Sequence, residues 1–133
     1  MAAKGKAKRV AHTFTHFILI GGLAVGSAGC IAAFGNVVPR TIVRIYELWK
    51  EGRTEEALEL HRKAAVAEQA VKSGGIAAVK YAASLGTARR AGVEGAEQLL
   101  KPRKPYLELK EGDKERIRGA LAEILEVEGQ MGL

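Results

Sequence analysis

Two kinds of hydrophobic pattern follow one another along this chain. Residues 17–25, Phe-Ile-Leu-Ile-Gly-Gly-Leu-Ala-Val, are apolar without a period, and a short buried helix and a strand read alike there. Gly26-Ser27-Ala28-Gly29 is a turn. Residues 30–34, Cys-Ile-Ala-Ala-Phe, make a second continuous run, which reads as a short buried strand. Gly35-Asn36 breaks it, because both residues tolerate left-handed backbone. From Pro39 the period becomes helical. Ile42, Ile45, Tyr46 and Trp49 recur at spacings of three and four, which gathers them on one face. Pro39 suits the first turn, where its missing N–H is not needed, and Gly52 suits the C-terminal cap.

The helical period then persists. Thr54 is placed to cap a second helix, with Glu55 and Glu56 at its positive end and a seam of Ala57, Leu60, Ala64, Ala67 and Val71. Ser73-Gly74-Gly75 ends it. A third helix is expected over 76–85, stopped by Gly86, and a short one over 93–100. Lys101-Pro102-Arg103-Lys104-Pro105 reads as extended, since a residue before proline avoids the helical region. Asp113 is placed to cap a last helix with the face Ile117, Leu121, Ile124 and Leu125, and the tail after Glu128 is expected to fray. The expected chain is therefore mostly α-helical, with one or two short strands. A strand passing through a tight loop into an amphipathic helix is the βα unit of α/β folds. One parallel strand alone leaves its N–H and C=O groups half unpaired, so this one calls for neighbours.

Composition changes this picture little. With 133 residues, 47% hydrophobic and 27% charged, one globular domain is expected. Charge adds more. The net +6 comes from the first 46 residues, where Lys4, Lys6, Lys8, Arg9, Arg40 and Arg44 meet no acidic residue; from Glu47 onward the charges balance. Residues 1–16 read as a basic, disordered leader. No aromatic residue interleaves its first cations and no binding motif follows, so no nucleic-acid partner is assigned. Between Val10 and Pro39 there is no Asp, Glu, Lys or Arg, enough length for a membrane span. Gly21, Gly22, Gly26, Gly29, Gly35 and Asn36 interrupt the stretch and argue against insertion. Cys30 is the one cysteine, so no internal disulfide forms, and its apolar neighbours suggest a thiol acting as a small hydrophobe.

The stretches GLAVGSAGCIAAFGNVVPRTIVRIYELWKEGRTEEALELHRK, GIAAVKYAASLG and KPRKPYLEL resemble the C-terminal part of the dihydrodipicolinate synthase / N-acetylneuraminate lyase family, from about residue 17 to 125. The flavour is that of its 4-hydroxy-2-oxoglutarate aldolase-like members. The resemblance implies an α/β fold by family: a C-terminal fragment of a (β/α)8 TIM barrel plus C-terminal helices. Residues 17–72 would be the last barrel units (helix seven, strand eight, helix eight and the helix after it), and 73–133 the C-terminal helical region. A complete barrel needs about 250 residues, so the chain reads as a truncated family member.

The same resemblance supplies the chemistry to look for. These class I aldolases are lyases that hold pyruvate or a related 2-oxo acid as a Schiff base on a lysine, with a tyrosine relaying protons and a threonine-rich turn holding the carboxylate. All of these groups lie on earlier strands, and none maps onto this sequence. Lys80, beside Tyr81, matches a family lysine on a helix outside the barrel, and adjacent helical residues face different ways. No catalytic residue is therefore assigned. Gly29, Ile31 and Asn36 match positions at or beside strand eight that border the substrate pocket, and they are the candidate site residues. The resemblance also implies oligomers, a homo-oligomer or a pairing with a full-length paralogue, and a location in the cytoplasm or mitochondrial matrix.

Other motifs add nothing. His12 and His16 have the i, i+4 spacing of helical metal ligands but lack a third ligand, and His61 reads as a helix-surface residue, so no metal is assigned. Pro102 to Pro105 formally fits PxxP. The turn at 26–29 lacks the Gly-Lys-Ser/Thr ending of a phosphate loop. No cofactor is called for. The expectation is a family fragment inactive on its own. The alternatives are a helical interaction or complementing subunit of an aldolase oligomer, and a small membrane-anchored protein.

Overall fold

The computed structural model describes residues 18–131. The leader at 1–16, and with it His12 and His16, lies outside the described residues. Six helices follow in order: α1 (Leu19–Ala24), α2 (Pro39–Lys50), α3 (Thr54–Lys72), α4 (Gly75–Ala83), α5 (Ala96–Leu99) and α6 (Glu111–Gln130). A 3₁₀ turn, Ala33–Asn36, precedes α2, and a π-helical turn, Ser84–Ala88, continues α4. No helix among the described residues is long and apolar enough to cross a membrane.

α3 is the central element. It packs against α2 on one side and α6 on the other, and α4 closes the layer by touching α3, α6 and the 3₁₀ turn. Its seam explains the closeness. Ala57, Ala64, Ala67 and Val71 are buried, and small side chains let neighbouring helices approach. The larger volume comes from the partners: Ile45 and Leu48 of α2, Tyr81 of α4, and Ile117, Leu121 and Ile124 of α6. Phe34, Val37 and Val38 fill the core between α2 and α4 and are at most 1% exposed.

Several expected boundaries move, each for a local reason. The expected strand over 30–34 reduces to one bridge residue, Cys30, and the backbone is already turning at Ala33. No ladder forms among the described residues, as expected of one barrel strand without its neighbours. Thr54 is the first helical residue of α3 rather than its cap, and its hydroxyl points back to the Gly52 carbonyl at 3.5 Å. Arg53 sits at the cap position and pairs with Glu56 at 2.6 Å instead. Gly52 does end α2. It has φ +78, its N–H reaches the Trp49 carbonyl, and the Arg53 N–H reaches back to Leu48, the double bond of a Schellman ending.

Gly86 does not stop the third helix. The helical path passes through it to Arg90 by way of the π turn. Its missing side chain serves packing: a Cβ there would lie 2.5 Å from the Val37 carbonyl oxygen. α6 begins two residues before Asp113, which lies in its first turn and pairs with Arg116. Nor does the end of α6 fray after Glu128. The helix runs to Gln130, the Glu128 side chain is fully buried, and the Arg40 guanidinium donates to the Met131 carbonyl at 2.8 Å.

Candidate functional site

The candidate residues lie on the segment between α1 and α2. Ser27 shapes its start by donating from Oγ to the Gly29 carbonyl at 2.9 Å. Ile31 is 65% exposed, so the residue expected inside a strand presents its side chain outward. Asn36 closes the 3₁₀ turn, with Nδ2 donating to the Ala33 carbonyl at 3.1 Å. Gly29, Ile31 and Asn36 therefore share one stretch of backbone, and Gly29 among them lines a hollow of about 260 Å³ with Leu19, Cys30, Ile42, Val43 and Tyr46. Cys30 between them is half-buried. Burial and the nearby Glu68 charge push its thiol pKa up, which suppresses the thiolate and any nucleophilic role.

What the segment does have is a rigid exit. Helix α2 begins with Pro39, has no acidic residue in its first turn and has Val38 at the cap position. Its free N–H groups are satisfied from the far end of the chain. Glu128 accepts from the Arg40 N–H at 3.0 Å on one oxygen, and from the Thr41 N–H and hydroxyl at 2.6 Å each on the other. Arg90 adds a charged donor at 2.8 Å. A carboxylate at a helix N-terminus is favoured by the helix dipole and by the unpaired amides. Here α6 supplies the cap that α2 lacks.

The sequence contains a signal for this. Glu128 continues the register of Ile117, Leu121 and Ile124, so a carboxylate stands on the apolar face of its helix. The frayed tail expected after Glu128 leaves that carboxylate without a role, whereas the helix continues to Gln130 and buries it.

Lys80 and Tyr81 diverge as expected. Lys80 lines an apolar groove of about 330 Å³ with Phe34, Val71, Lys72, Ile76 and Val79. Tyr81 is buried on another face, where its hydroxyl accepts from Arg118 at 2.7 Å and Lys114 sits 5.7 Å from its ring centre. Lys114 is itself paired with Glu97 at 2.6 Å, which raises its pKa. No group of three His, Cys, Asp or Glu side chains that could hold a metal occurs among the described residues. His61 is half-buried on α3.

Comparison with known proteins bears on this segment and on the helices around it. The dihydrodipicolinate synthetase family model matches residues 16–124. A protein of Coccidioides immitis (strain RS), whose name assigns it as a mitochondrial 4-hydroxy-2-oxoglutarate aldolase, is 51% identical over 137 residues, covering 96% of this chain and 43% of its own length. A similarly named protein of Emericella nidulans is 36% identical over 118 residues, covering 89% of this chain and 34% of its own. A crystal structure of a dihydrodipicolinate synthase family protein from Coccidioides immitis superposes with a TM-score of 0.82 at 51% identity, covering 89% of this chain and 38% of that one. The chain thus spans less than half the length of the curated relatives it matches.

Proposed function

The chain belongs to the dihydrodipicolinate synthetase family, and from that membership we propose that it furnishes the last βα unit and the C-terminal helices of an aldolase barrel. Residues 17–72 are the barrel-derived part and 73–133 the helices that brace it. The reaction served is the lyase chemistry of a 4-hydroxy-2-oxo acid, held as a Schiff base on a lysine. That lysine lies outside the stretches of the family this chain matches. Barrel active sites sit at the C-terminal ends of the strands. The segment through Asn36 would border that face, with Gly29, Ile31 and Asn36 shaping the pocket through backbone rather than supplying a reacting group. Of the two expected locations, the names of the Coccidioides and Emericella relatives favour the mitochondrial one.

The observation that carries this reading is the state of the strand-eight segment. Residues 30–34 make no ladder among the described residues, Val25 is 82% exposed and Ile31 65%, and Val43 on the adjoining α2 is 54% exposed. A barrel stave leaves open the side where neighbouring strands and helices belong. Borohydride treatment of the purified chain with pyruvate tests the catalytic half of the proposal. No trapped adduct is expected, and a stable adduct on Lys80 would overturn it.

The same open side favours a second reading, in which the chain joins a full-length paralogue or a second copy of itself. Light scattering separates the two: a monodisperse monomer at all concentrations argues against association.

A further inference from the structure

The junction between the candidate segment and α2 is gripped from two sides by a single turn of helix. Upstream of Pro39, the Thr87 hydroxyl lies 2.6 Å from the Asn36 carbonyl and 3.3 Å from that of Val37. Beside it Gly86 lets the helix backbone come against Val37, where any side chain would collide. Downstream of Pro39, Arg90 holds Glu128, which in turn holds the amides of Arg40 and Thr41. Thr87 and Arg90 are three residues apart, one turn of the same helical path, and so share a face.

Where that shared face is aimed follows the π turn at Ser84–Ala88. A π turn inserts an extra residue into the helical register, which rotates everything after it by about 100°. Thr87 lies within that turn and Arg90 two residues past it, so the turn sets the angle at which both meet the junction. π turns inside α-helices are frequent at functional sites for this reason.

We propose that Thr87 and Arg90 are positioning residues that clamp the Asn36–Thr41 junction and so fix where the candidate substrate-facing backbone sits. They act through the carbonyls of Asn36 and Val37 and through Glu128, and touch no substrate themselves. The functional consequence rests on the barrel reading above; the clamp itself does not.

Residue-resolved amide hydrogen exchange on the full chain tests it. Thr87→Val removes the donor at an exposed position and keeps the shape, and Thr87→Ser restores the donor. Thr87→Val is expected to speed exchange at the Val37 and Val38 amides about tenfold, while Leu121 and Ile124 in α6 are unchanged and Thr87→Ser is close to wild type. Arg90→Met is expected to speed exchange at Arg40 and Thr41 in the same local way. Unchanged exchange at the junction, an acceleration spread evenly over all helices, or a failure of Thr87→Ser to restore protection would each overturn the clamp. So would a wild-type chain whose Val37 and Val38 amides are unprotected. Because the readout involves no aldol chemistry, a trapped lysine adduct would sink the functional reading and leave the clamp standing.

Discussion

Glu128 concentrates more of the fold in one side chain than any other residue described. It is a fully buried carboxylate that caps a helix starting 89 positions earlier in the chain and pairs with Arg90, whose side chain is 27% exposed. Removing it leaves two amides and a hydroxyl of α2 without acceptors and leaves Arg90 without its counter-charge. Glu128→Ala is therefore expected to destabilise the chain by about 3 kcal/mol, whereas Glu128→Gln, which keeps one acceptor oxygen, costs less. Urea unfolding of the two variants gives the comparison. Cys30 makes a second prediction at this scale. Its thiol pKa is raised, so at pH 8 a smaller fraction is thiolate than in an unhindered cysteine. Its reaction with a disulfide reagent should be correspondingly slower and should keep rising with pH beyond the point where a free thiol has levelled off. A rate equal to that of free cysteine at pH 8 would contradict this.

Elements in this chain begin and end by two different means. Where an end is local, the chain shows it: Gly52 stops α2 because only glycine accepts φ +78 without strain, and Gly52→Ala should cost about 1 kcal/mol. Where a boundary depends on a distant contact, local chemistry misleads. Gly86 looks like a stop signal, yet its φ is not positive and its role is to let α4's continuation lie against Val37. Gly86→Ala is expected to cost about 2 kcal/mol through overpacking, despite alanine's better helix propensity. A gain in melting temperature for that variant would show that the contact can relax. α6 is an ordinary amphipathic helix by comparison, and Leu121→Ala, at a fully buried site, should cost roughly 3 kcal/mol by calorimetry or urea titration.

At the scale of the whole molecule, α2, α3, α4 and α6 close a helical core, while Val25 and Ile31 on the candidate segment and Val43 on α2 stay exposed, as do Val66 on α3, Leu99 on α5 and Leu107. On the barrel reading proposed above, the neighbouring barrel units would cover Val25 and Ile31. Supplying the remaining barrel portion of a relative as a separate chain should therefore protect this segment from proteolysis. Co-purification with cleavage at 25–32 unaffected would argue that the partner binds elsewhere.

The amphipathic seams of α2, α3 and α6, the Schellman ending at Gly52 and the family stretches were all legible along the chain. Each rests on residues within a turn or two of one another, where periodicity and backbone preference act directly. Tertiary structure alone decided the fate of residues 30–34, which make no strand ladder among the described residues, the course of the helix through Gly86, and the burial of Glu128. Each of these depends on groups tens of residues away, and a carbonyl, an amide or a cavity wall at that distance leaves no mark on the local pattern except, at Glu128, a charge standing on an apolar face.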